Sequence, residues 1–146
     1  MNDLKQAVLD YLDAHQVMTL ATQGEDGVWA AAVFYANDEF DFYFLSAGHT
    51  RHATHIAAEP RIAAAIHEDY RLWREIKGVQ MEGAAQQLGG ARREAAIDRY
   101  LQKFPEVSRE VTLADALRRV NWYRLRPDQL YFIDNSKGFG HRDRIF

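Results

Sequence analysis

The stretch that most constrains this chain covers residues 40–60, FDFYFLSAGHTRHATHIAAEP. Phe40, Phe42 and Phe44 alternate with Asp41, Tyr43 and Leu45, the period-two pattern of a strand. Ser46-Ala47-Gly48 stops that strand, with Gly48 giving the backbone room to turn. Thr50 is placed to cap a short helix that ends near Pro60. Ser46, His49, Thr50, Arg51 and His52 therefore crowd one strand-to-helix junction. A helix N-terminus carries unpaired N–H groups and the positive end of a dipole, so hydroxyls and a guanidinium beside it suit a phosphate. The same residues serve equally as an ordinary N-cap with solvated neighbours.

Around this junction the pattern is one of short strands. Residues 3–15 read as a helix, with Leu4, Val8, Tyr11, Leu12 and His15 on one face and Asn2 or Asp3 as the cap. Residues 17–22 and 28–36 read as strands joined by Gly24-Glu25-Asp26-Gly27, a hairpin turn. Ala30, Ala31 and Ala32 leave little bulk on the second, so a flat group or another backbone can come close. Asn37-Asp38-Glu39 turns into a third strand over residues 40–45. Residues 61–67 read as a fourth strand and 70–88 as a long fifth, with Gly78 and Gly83 as bulge or bend points. Gly89-Gly90 breaks that strand. Residues 91–104 then form a helix, with Ile97, Tyr100, Leu101 and Phe104 at helical spacing and Pro105 as its end. A further helical turn covers residues 113–117. Residues 121–125 and 130–134 read as the sixth and seventh strands, separated by a Pro127-Asp128 turn, and residues 135–146 are a Gly-rich basic tail.

Such a series predicts an α+β, mostly β fold, an antiparallel Greek-key barrel, closed or partly closed, with flanking helices. The 146 residues suit a single domain, 1–146. A barrel this small fills its interior with side chains, which puts a large ligand outside it or between two copies. With Phe, Tyr and Trp at 12% of the chain, some aromatics would serve a dimer interface. The absence of cysteine excludes disulfides, thiolate nucleophiles and thiolate metal sites. Asp3, Lys5, Asp10 and Asp13 leave no signal-peptide core, and no apolar run is long enough to span a bilayer. A soluble cytoplasmic protein with no membrane partner is the expectation. A net charge of −3 argues against a general nucleic-acid binder. Residues 117–146 nevertheless hold seven basic side chains against three acidic ones, so this segment can complete an anion site.

At this point the chain resembles a known family, the pyridoxamine 5′-phosphate oxidase-like FMN-binding split barrels. The likeness runs over residues 17–144 and is best at Leu45-Ser46-Ala47-Gly48-His49-Thr50-Arg51-His52, leading to Ile56 and Pro60. The family pattern has an apolar and a hydroxyl residue ending a strand, then Ser/Thr-Arg-Lys opening a helix that closes at Asn-Pro. The resemblance implies that Leu45, Ser46, Thr50, Arg51 and His52 hold an FMN phosphate, with His52 standing where the family has lysine. WREIKGVQMEG, residues 73–83, looks like the family's long strand that meets the partner's flavin, and Gln80 is the matching residue. RPDQLYFIDNSKGFGHRDR resembles the last hairpin with its basic cluster, which brings in His141, Arg142 and, loosely, Arg144. Family oxidases carry arginine and lysine on the second strand, where Ala30 and Tyr35 stand here, and an Arg-Pro-Arg-x-x-Ser type element that residues 90–108 lack. The resemblance thus implies the split barrel, FMN and a homodimer acting on an unidentified small molecule, rather than pyridoxamine phosphate as substrate.

Other chemistries have weaker support. His49, His52 and His55 are spaced by three, but His49 precedes the helix and only Glu59 lies near, so no metal is expected. His55 reads as a partly buried ring against the barrel. There is no Gly-x-Ser-x-Gly, and Glu68-Asp69 reads as a turn. Trp73, Trp122 and Tyr123 are stacking candidates, with Trp122 better read as core. No residue qualifies as catalytic, although His141 or Arg142 in the tail could close over a flavin ring. The reading is a flavin-dependent oxidoreductase, with two alternatives: a non-enzymatic flavin or haem module for storage or sensing, or a deazaflavin-dependent reductase.

Overall fold

A computed structural model describes residues 2–146, and among them eight strands and five α-helices follow in order. The chain opens with α1 (Asp3–Ala14), whose first turn is capped by Asn2 Oδ1 accepting from the Lys5 N–H at 2.8 Å. Val8, Tyr11 and Leu12 form its buried face. At its other end the Lys103 ammonium donates to the carbonyls of Leu12 (3.2 Å) and His15 (2.5 Å), taking up orphan helix-end acceptors.

β1 (Val17–Gly24) and β2 (Gly27–Phe34) form a hairpin in full register, closed by Glu25-Asp26 with Gly27 at φ 115°. The expected second strand, residues 28–36, is broken at its end. Buried Tyr35 donates to the Leu12 carbonyl at 2.7 Å and turns the chain into a separate short strand, β3 (Ala36–Asp38). β4 (Asp41–Ser46) follows, with Phe42 and Phe44 fully buried as the alternation requires. α2 (Arg51–Ala58) then crosses to β5 (Arg61–His67).

Two further expectations are corrected. Residues 70–76 are not part of the fifth strand. Trp73–Glu75 is a 3₁₀ turn, and the Ile76 carbonyl accepts from Asn135 N–H, so this segment is docked on the end of a later strand. β6 is Lys77–Gln87. The Pro127-Asp128 turn is also absent: β7 (Asn121–Asp134) runs through it as one strand. The β6–β7 register shifts between Glu82 and Gly83, with Gly83 opposite Pro127. A proline lacks the ladder donor, and a bulge is one of the few places in a sheet that tolerates it. Gly83 is needed there, because a Cβ would lie 2.2 Å from the Arg126 carbonyl oxygen. The extra residue, Asp128, projects outward onto a two-pronged pair with Arg61 at 2.8 Å. Gly78, by contrast, sits in regular register between His67 and Ile133.

Between β6 and β7 lie α3 (Gly90–Lys103), α4 (Pro105–Ser108) and α5 (Val111–Arg119), the last longer than the turn expected. β8 (Arg142–Arg144) pairs with the distal half of β7. The strand order β2-β1-β5-β6-β7-β4-β3 is antiparallel throughout and curls into a split barrel. Its interior is filled by residues such as Met18, Leu20, Phe44, Ile66, Leu125 and Leu130. A second cluster under α3 centres on Trp122, fully buried, with its indole N–H donating to the Leu117 carbonyl at 2.7 Å. No helix among the described residues is long and apolar enough to cross a membrane.

Candidate functional site

β4 delivers Ser46 to the mouth of the barrel, where α2 begins. Thr50 is the N-cap: its hydroxyl donates to the Ala47 carbonyl (2.9 Å) and accepts from the Ala53 N–H (3.3 Å). Ser46 Oγ is 2.5 Å from His52 Nε2, and Thr50 Oγ1 is 3.4 Å from the same nitrogen. The fold thus brings Ser46, Thr50 and His52 together. Burial, and then the nearby His55, push the His52 imidazole below its ordinary range, so it is neutral near pH 7. Leu45 points the other way, against the Trp122 cluster.

Arg51 turns toward the β1–β2 hairpin. One Nη donates to the Asp26 carbonyl at 2.9 Å, Nε lies 3.0 Å from the Asp26 carboxylate, and the guanidinium sits 4.5 Å over the Trp29 ring. The Nε–carboxylate contact is an ion pair without hydrogen-bond alignment, so the shielded Nε–H lacks an acceptor. Asp26 is held in turn. His55 Nε2 is 2.6 Å from its Oδ1, and His55 Nδ1 is 2.8 Å from Thr22 Oγ1. The His55 hydrogen bond, with help from Arg51, keeps the Asp26 carboxyl below the usual carboxylate range. Thr22 and His55 are each only 3% exposed, so this hydroxyl–imidazole–carboxylate chain is a clasp between hairpin and helix rather than a nucleophile open to substrate. The fit is close, since a Cβ on Gly24 would lie 2.6 Å from the His55 ring. Sequence reasoning missed Thr22, Asp26 and Trp29. Asp26 looked like a hairpin-turn residue, and its partners lie 25 and 29 positions away.

Between hairpin and α2 lies a cleft of about 860 Å³ lined by Asp26, His49, Arg51, Thr54 and Glu59 among others. Next to it the outer face of the sheet carries a second hollow of about 710 Å³, floored by Ala21, Ala30 and Ala63 and flanked by Trp29, Arg61 and Glu82. The edge strand is open here, with Val28 78% and Phe34 55% exposed. Gln80, exposed on the same sheet, stands opposite Ala65 on one side and Tyr131 on the other. Arg142 lies 4.4 Å over the Tyr131 ring, so Gln80 and Arg142 meet at that tyrosine. His141 Nε2 is 3.0 Å from the Asp143 carboxylate. Trp73 packs edge-on to exposed Phe139, away from the α2 junction. Among the described residues no three metal-ligating side chains converge.

Fold and site together define a split barrel with a phosphate-capable strand-to-helix junction beside a shallow, alanine-floored outer face. The sequence matches the family model for pyridoxamine 5′-phosphate oxidase over residues 4–134, and the chain belongs to that family. A UPF0306 protein of Photorhabdus laumondii is 32% identical over 139 residues, covering 94% of this chain and 92% of that one. Among solved structures, HutZ, the haem storage protein of Vibrio cholerae, superposes with a TM-score of 0.74 at 18% identity, covering 87% of this chain and 92% of that one. A Listeria innocua protein provisionally assigned as a pyridoxamine 5′-phosphate oxidase superposes with a TM-score of 0.68 at 16% identity, covering 88% and 96%.

Proposed function

We propose that this chain binds FMN as a homodimer, with the flavin in a cleft shared by two copies, and serves a flavin-dependent oxidoreduction of a small molecule. The observation that carries the reading is Arg51. Its guanidinium is stacked on Trp29 and lies 3.0 Å from the Asp26 carboxylate, its Nε–H has no aligned acceptor, and its backbone opens the helix that Thr50 caps and on which His52 meets Ser46. That donor set fits a phosphate ester, which offers several anionic oxygens to charge-assisted donors. Membership of the pyridoxamine 5′-phosphate oxidase family supports the same cofactor. The alanine-floored hollow next to the junction suits a flat ring, and Gln80 and Arg142 carry donors on the same face of the sheet. In this reading Ser46, Thr50, Arg51 and His52 hold the phosphate, while Gln80, His141 and Arg142 meet the ring held by the other subunit. FMN, when bound, supplies the electron-transfer chemistry, and this chain supplies grip, orientation and exclusion of water.

A second reading rests on a different observation. HutZ shares the fold, and His49 lines the larger cleft beside Arg51, a pairing able to meet the iron and a propionate of haem. Titrating the purified protein with riboflavin phosphate, riboflavin and haemin separates the two. Saturable binding of riboflavin phosphate, much tighter than riboflavin and with bands near ~375 and ~450 nm, is the expected result. A Soret band with haemin and no response to riboflavin phosphate would overturn the FMN reading. Turnover of the loaded protein with a nicotinamide nucleotide then distinguishes an enzyme from a carrier.

A further inference from the structure

A second cluster of arginines lies away from the α2 junction, in a cleft of about 280 Å³ where the first turn of α3 overhangs the outer faces of β4 and β7. Tyr43 and Asp41 enter it from β4, Arg124 and Arg126 from β7, and Arg92 from α3. Arg124 pairs with Tyr43 across the β4–β7 ladder, and Arg126 is the next residue outward on the same face. Three guanidiniums therefore share the cleft with a single carboxylate. Arg126 holds both oxygens of that carboxylate, donating from Nε and Nη2 at 2.8 Å, while Arg124 acts on it only through its charge. Arg124 is left with one donation to the Gln86 side-chain oxygen at 3.2 Å. Its Nε–H is shielded from water and has no acceptor. The exposed Arg92 side chain has no hydrogen-bond or ion-pair partner among the described residues.

The charge imbalance has physical consequences. Like charges crowded in a small cleft repel, and a shielded guanidinium donor without an acceptor is costly. The neighbouring helix end adds to the positive potential: the N-cap of α3 is Gly89, which offers no capping side chain, and its first turn holds no acidic residue. One dianion would answer the excess charge and the unmatched donor together. Guanidiniums favour planar, two-pronged contact with phosphate-type oxygens. The volume suits a headgroup but not a base or flavin ring, since drug-sized ligands need larger pockets.

We propose that this cleft is a binding site for a small phosphate-type dianion, either free or as the headgroup of a small phosphate monoester, and that Arg92 and Arg124 are its main contacts. The site is independent of the α2 junction and does not rest on the FMN reading.

Inorganic phosphate is the first probe, titrated at low ionic strength into isotope-labelled protein while amide and arginine Nε–H resonances are followed. Saturable shifts at the amides of residues 88–95 and at Arg124 Nε–H are expected. R124Q and R92Q should each weaken binding by about ten-fold or more, with circular dichroism showing the fold retained. The shifts of residues 88–95 and of Arg124 Nε–H should be the same in R51A, whatever phosphate does at the α2 junction. Glycerol 3-phosphate is the second probe: affinity at least equal to that of phosphate assigns the site to an ester headgroup, and clear preference for phosphate assigns it to the free anion. Shifts that fail to saturate in the tens of millimolar, or that persist undiminished in both R124Q and R92Q, overturn the proposal.

Discussion

Arg51 holds contacts that a solvated arginine has no reason to combine: a backbone carbonyl, a carboxylate and an indole face. If it grips a phosphate, R51A should weaken riboflavin phosphate about ten-fold or more and leave riboflavin unchanged, a difference that fluorescence titration resolves. Equal losses for both ligands would mean that the mutation only loosens the hairpin. His52 makes a separate prediction through pH. Its imidazole is depressed in the folded protein, chiefly by burial and then by His55, whereas in the unfolded chain it titrates near its ordinary value of about 6.5. As pH falls below that value the unfolded chain takes up the proton first, so this group's contribution to stability is full above it and is lost on acidification toward the folded value. Urea melts at about pH 7.5 and about pH 5.5 should show the lower midpoint at the lower pH, and H52Q should narrow the gap. The residue types at this junction were legible in the sequence because Ser46, Thr50 and His52 lie within seven positions. The direction of Arg51 was not, because it depends on Asp26 and Trp29 from another element.

At the scale of elements, the clasp between hairpin and helix matters most. H55A should remove the acceptor or donor that Thr22 depends on, free Asp26, and open a hole under α2. A loss of about 2–4 kcal/mol in urea unfolding is expected. Hydrogen exchange should show the β1–β2 hairpin losing protection ahead of β5 and β6, and uniform loss across all strands would argue against a local clasp. Elements with strong local patterns were readable in advance. β5 matches its expected span because an apolar run bounded by Pro60 and Glu68 leaves little choice. The breaks at Tyr35, Tyr70 and Pro127 were misread for one shared reason. Each is settled by what stands opposite: the Leu12 carbonyl for Tyr35, the Tyr11 hydroxyl for Tyr70, and Gly83 for Pro127. Proline breaks an isolated strand signal, but a bulge beside glycine lets β7 continue.

For the whole molecule, the proposed dimer would place the alanine-floored outer face and the open β2 edge at its interface. A stable interface of standard size buries about 800 Å² on each partner, so one bulky charge at its centre should be disruptive. Ala65 stands between Thr19 and Gln80 on that face. A65R is expected to give single-chain mass by light scattering, an unchanged far-ultraviolet spectrum and weakened riboflavin phosphate binding. Paired chains of the same mass in wild type and A65R would argue against this face as the proposed interface. By itself the sequence determined the strand-rich character, the capped turn from β4 into α2, and the hydroxyls and basic groups at that turn, because these follow from neighbours two to four positions apart. Only the tertiary structure decided that Thr22, Asp26 and His55 form a clasp that orients Arg51, that Arg142 stacks on Tyr131 beside Gln80, and that three arginines line one cleft beside α3 with a single carboxylate among them. Those contacts join residues far apart in the chain, and their partners are chosen by strand register and helix docking, which local sequence patterns do not encode.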